Sequence, residues 1–97
     1  MSASSAAPPG TITLTCPDST GKTYTAVIHY DPGTGAFNTD AITTSGSTAT
    51  GHLTITLTAG GTVELDIPGG DTVTAATLAA DGITNWSQVQ GLALTAD

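Results

Sequence analysis

Arginine is absent from this 97-residue chain and lysine occurs once, as Lys22, against eight acidic residues, for a net charge of -7. Proteins that hold nucleic acid irrespective of sequence neutralise its phosphates with Lys and Arg. One such side chain cannot do this, so nucleic acid is not an expected partner. Apolar runs are short, none approaching the ~20 residues of a membrane-spanning helix, and no membrane partner is expected. Cys16 is the only cysteine, which excludes an intrachain disulfide and leaves the fold to packing alone. Rings are few (Tyr24, Tyr30, Phe37 and Trp86), so the core must come from Ile, Leu, Val and Ala. Charged residues make up only 9% of the chain, against ~25% in ordinary soluble domains. That much neutral surface points to faces covered by neighbouring subunits.

What the chain has in place of charge is threonine at alternate positions. Thr11, Thr13 and Thr15 alternate with Ile12, Leu14 and Cys16, the pattern of a half-buried strand. Thr23 to Tyr30 answers it, with Tyr24, Ala26, Ile28 and Tyr30 on one face. Setting Cys16 against Tyr24 also sets Leu14 against Ala26 and Ile12 against Ile28, with Asp18 to Lys22 as the loop. In a second hairpin, Leu53, Ile55 and Leu57 alternate with threonines, and Val63, Leu65 and Ile67 with Thr62, Glu64 and Asp66. A three-residue loop, Ala59-Gly60-Gly61, would place Leu57 opposite Val63, Ile55 opposite Leu65 and Leu53 opposite Ile67.

Elsewhere the pattern is weaker. Asp31 to Gly35 is a turn cluster, Ala36 to Ile42 reads as a short strand, and Thr43 to Gly51 as an exposed loop. Asp71 or Thr72 suits the cap of a short helix bearing Val73, Ala76 and Ala80 and ending at Gly82, while Thr72-Val73-Thr74 reads equally as a strand. One helical turn within Thr84 to Gln90, closed by Gly91, would lead to a last strand from Leu92 to Thr95. The expectation is an all-β fold, a small antiparallel sandwich or barrel with an extended N-terminal arm and a short helix near the C-terminus. The arm is residues 1–10 and the β-rich body residues 11–97. Met1-Ser2-Ala3-Ser4-Ser5-Ala6-Ala7-Pro8-Pro9-Gly10 has neither the basic nor the apolar part of a secretory signal.

No catalytic motif survives inspection. Thr20-Gly21-Lys22-Thr23 ends like a phosphate-binding P-loop, but Cys16 stands where the first glycine is required. The Asp-Thr-Gly signature of half-size aspartic proteases has no match at Asp18, Asp31 or Asp71. His29 and His52 lie on the threonine faces of their strands. With Asp31 they could hold a metal if those strands were adjacent. Nothing in the spacing requires it, and no metal or other cofactor is expected. Asp18, Asp31 and Asp40 sit in or beside loops, where carboxylates serve as turn formers more often than as calcium ligands. Cys16 reads as a small buried hydrophobe. The chain is expected not to be an enzyme.

A short β-domain with a Ser/Ala/Pro arm, few charges, one cysteine and no catalytic motif resembles the capsid decoration (cement) proteins of tailed bacteriophages. The resemblance covers Met1 to Gly10 as arm and Thr11 to Asp97 as body, and rests on composition and organisation. It implies a structural virion protein that binds and stabilises the outside of a phage shell, with the major capsid protein or other virion subunits as partners. It also implies a homo-oligomer, often a trimer, attached through the arm residues Ser2, Ala3, Ser4, Ser5, Ala6, Ala7, Pro8 and Pro9. The alternatives are a carbohydrate- or cell-surface-binding β-sandwich module, and a tail-tube or fibre component. For the sugar-binding alternative, Tyr24, Tyr30 and Trp86 would have to be exposed side by side.

Overall fold

Residues 10–45, 50–67 and 72–96 are described by the structure, a computed structural model; the arm residues Ser2 to Pro9 lie outside them. Within the described residues the chain forms β1 (Thr11–Pro17), β2 (Thr23–Tyr30), β3 (Phe37–Ser45), β4 (Gly51–Leu57), β5 (Thr62–Ile67), β6 (Thr72–Thr74), the helix α1 (Ala75–Ala80) and β7 (Val89–Ala96). Two antiparallel sheets result, ordered β1-β2-β3-β6 and β5-β4-β7. The all-β expectation holds. Leu14, Tyr24, Ala26, Ile28 and Ile42 from one sheet meet Leu53, Ile55, Leu65, Ile67 and Leu94 from the other in a single buried core.

The β1–β2 hairpin pairs as its alternation predicts, with Ile12 opposite Ile28, Leu14 opposite Ala26 and Cys16 opposite Tyr24. Its loop is organised by Asp18. One carboxylate oxygen accepts from the Thr20 N–H at 2.9 Å, the Thr20 hydroxyl at 2.6 Å and the Lys22 N–H at 2.9 Å. This is the turn-forming use of aspartate.

In the β4–β5 hairpin the predicted faces are right and the predicted register is wrong. Leu53 pairs with Leu65, Ile55 with Val63 and Gly51 with Ile67, a shift of two residues from the expected pairs. The loop is still of three residues, but they are Thr58, Ala59 and Gly60, closed by Gly60 N–H to Leu57 C=O and Leu57 N–H to Gly61 C=O, both at 3.0 Å. Gly60, at φ +104°, takes the left-handed position that such a loop needs. A two-residue slip keeps every side chain on its face, because the strand repeat is two. Alternation therefore fixes the face but leaves the choice between these registers to the turn. Ile12, Leu57 and Val63 are half-buried at the margin of the core.

β3 corrects the loop expected over Thr43 to Gly51, since Thr43, Thr44 and Ser45 pair with Val27, Ala26 and Thr25. Hydroxyl side chains give this stretch no apolar period, and its strand state comes from β2 rather than from its own pattern. Ala41 and Ile42 are buried in succession beside a register shift against β6, which further breaks the alternation. Residues 72–74 take the strand reading as β6, with Val73 in it rather than on a helix. The helix α1 starts later than expected, with Thr74 instead of Thr72 as N-cap and Asp71 outside the described residues. The buried residue of α1 is Leu78, whereas Ala76 and Ala80 are exposed. Gly82 ends the helix as expected: its N–H bonds Ala79 C=O at 3.0 Å, and Ile83 N–H bonds Leu78 C=O at 2.9 Å. Leu78 and Ile83 are both buried, the apolar contact that accompanies this C-terminal motif. The following turn is a short 3-10 segment, Trp86–Gln88. Gly91 does not close it but lies inside β7, next to a register shift against β4.

Candidate functional site

β1 and β7 are the outer strands of their sheets and lie against one another along one side of the sandwich. Between them opens a groove of about 190 Å³ lined by Ile12, Leu14, Trp86, Val89, Gln90, Gly91 and Leu92. Its walls follow from the strand pattern, since the inward residues of β1 and β7 reach a place where, among the described residues, no third strand covers them.

Trp86 reaches this groove because its backbone is pinned from three directions. Its N–H donates to Gly35 C=O at 2.7 Å. Asn85 accepts from Ser87 N–H at 2.9 Å and donates its amide to Thr34 C=O at 3.0 Å. The Gln88 side-chain oxygen accepts from the N–H groups of Thr84 and Asn85 at 2.8 and 3.0 Å, and its amide donates to Gly82 C=O at 3.0 Å. Asn85 and Gln88 together form a capping box. Asn85 is thus held in place by its own side chain.

The rings are not arranged for sugar stacking. Tyr24 is wholly buried, and Tyr30 and Trp86 lie face to face, with centroids 4.7 Å apart and planes 10° from parallel. Each covers a face of the other, which makes a compact half-buried lid rather than a flat row of exposed rings.

The histidines are not brought together. His29 is in the first sheet, where its Nε2 lies 3.0 Å from the Thr43 hydroxyl. His52 is in the second sheet, with Nε2 3.2 Å from Asp66 Oδ1. Asp31 is spent on its own turn, accepting from Gly33 N–H at 2.7 Å, and Asp40 is exposed on β3. The group that does converge among the described residues is His52, Glu64 and Asp66. Sequence reasoning missed it because the expected register set Asp66 against Thr54 instead of His52.

Cys16 is half-buried on the Ile12–Leu14 face. Burial, the largest cause, pushes its thiol up from the ordinary range, so the nucleophilic thiolate is scarcer than in a free cysteine. Alkylation by iodoacetamide at pH 7.5 is expected to be markedly slower in the native protein than in the denatured chain. Equal rates would show that Cys16 is not shielded.

No protein-family model, curated protein or solved structure matches the chain.

Proposed function

We propose that this protein is a non-enzymatic structural subunit that associates with further copies of itself through the β1–β7 side. The resemblance to decoration proteins makes the outside of a phage shell its expected seat, with capsid subunits bound through the arm. The observation that carries the reading is a pair of long sheet edges whose own sequences carry almost none of the usual protection. An outer strand offers a row of unpaired N–H and C=O groups, which proteins normally protect with charge, proline or short length. β5 carries Glu64 and Asp66, and β6 has three residues. β1 and β7 have seven and eight residues with no charged side chain in either, and proline enters only at the last position of β1.

The occupant that suits this side is a second copy. No acidic residue lies within β1 or β7, though Asp18 and Asp97 follow them directly, so two copies joined along these strands set no strand carboxylate against another. A basic partner would find no complementary charge there. The apolar groove walls and the outer backbone edges would be covered together, as in strand addition.

The attachment half of the reading is tested by co-sedimentation with capsids stripped of their decoration. Deleting Ser2 to Pro9 is expected to leave the melting temperature unchanged, because the paired core positions of the strands all lie between Ile12 and Leu94. The same deletion is expected to lower capsid binding, since the arm's contacts are lost. Unchanged binding by the truncated chain would remove the arm as the anchor.

A further inference from the structure

We propose that His52, Glu64 and Asp66 form a surface site for a divalent transition-metal ion, with Zn²⁺ as the best fit. The β4–β5 ladder sets His52 directly opposite Asp66, and Glu64 follows two residues away on the same face of β5. One potential ligand atom from each residue lies within 4.8 Å of the other two. Nε2 of His52 and Oδ1 of Asp66 are already 3.2 Å apart. Two ligands held at about 2.0–2.1 Å from a tetrahedral zinc stand roughly 3.3–3.4 Å from each other. The His52–Asp66 pair is therefore close to ligand spacing without rearrangement. The Asp66 side chain is 85% exposed and Glu64 is exposed too, so both carboxylates can turn to close the third contact.

Electrostatics favours a cation at this place. Two carboxylates at alternate positions of one strand repel each other, and a cation opposite them relieves that repulsion. This chain has no Arg, and its one lysine, Lys22, lies in the β1–β2 turn of the other sheet. β7, on the far side of β4, places Thr95 opposite His52 and carries no charged residue. A bound dication would offset the paired negative charge. The imidazole decides which dication, because calcium and magnesium take oxygen ligands while zinc and its neighbours in the first transition row take nitrogen readily. Three protein ligands leave a coordination position for water or for a group from another molecule.

Zinc titration of the chelator-stripped full chain by calorimetry, in a buffer that does not bind metal, tests the site. One saturable site per chain is expected, with the His52 ring resonances moving in step with the heat. His52→Ala and the double variant Glu64→Gln/Asp66→Asn are each expected to weaken binding by more than roughly tenfold, the loss that even an outer partner of a metal ligand can produce. His29→Ala is expected to leave it unchanged. The double variant alters only exposed side chains, so it serves if His52→Ala fails to fold. Absence of saturable binding at millimolar zinc, or undiminished binding by the double variant, would overturn the proposal.

Discussion

Gly51→Ala is expected to destabilise the protein by about 1–3 kcal/mol, towards the upper end of what overpacking costs. Gly51 begins β4 and is buried. A Cβ placed on it would stand 2.5 Å from Cε2 and 2.8 Å from Cζ of Tyr24. That ring belongs to the opposite sheet, is wholly buried, and directs its hydroxyl to Ile67 C=O at 3.4 Å. It has no open space to retreat into, so the added methyl must push the two sheets apart locally. Chemical denaturation of Gly51→Ala, Tyr24→Leu and the double variant separates this clash from ordinary loss. The double variant is expected to be more stable than the sum of the singles predicts, by about 0.5–3 kcal/mol. Simple additivity would show that the ring and Gly51 do not compete for the same space.

Ile55→Ala is expected to cost roughly 2–5 kcal/mol, a large part of the roughly 5–15 kcal/mol that holds a domain together. Ile55 is 2% exposed and sits in the middle strand of its sheet, between Val63 and Leu92. Neighbours on both sides hold the surrounding backbone, so the space left by the side chain cannot close cheaply. Thr56→Ala, one residue along on the other face, is expected to cost no more than about 1 kcal/mol, the span of strand propensity. Similar midpoints for the two variants in urea would contradict the assignment of faces.

The sheets were legible in the sequence wherever one face is apolar and the other hydroxylic. β1 and β4 carry that alternation most cleanly, and in β2 and β5, where Val27, His29, Glu64 and Asp66 share the outward face with threonine, the inward residues still follow from it. β3 was legible only in part, because Thr43, Thr44 and Ser45 carry no apolar signal and are made into a strand by their partner. Register needs more than alternation, as the two-residue shift in the β4–β5 hairpin demonstrates. That shift had a chemical consequence, since the pairing of His52 with Asp66 appears only in the true register. The groove was hidden for a related reason. Ile12 and Leu14 read as core, and only the sheet order reveals that β1 and β7 are neighbouring edges with no other described strand laid across them.

Sedimentation of the full chain, alone and as the double variant Thr15→Lys/Ala93→Lys, tests most directly whether the β1–β7 side is an assembly surface. Both substituted residues are exposed, one on each edge strand, so the variant is expected to keep the parent's far-UV circular dichroism, with any fall in melting temperature coming from the lost association. The account predicts that the parent sediments as a multiple of the 9.5 kDa chain and that the two added lysines return it to the monomer. A parent that remains monomeric at every concentration, or a variant whose assembly is unaffected, would contradict it.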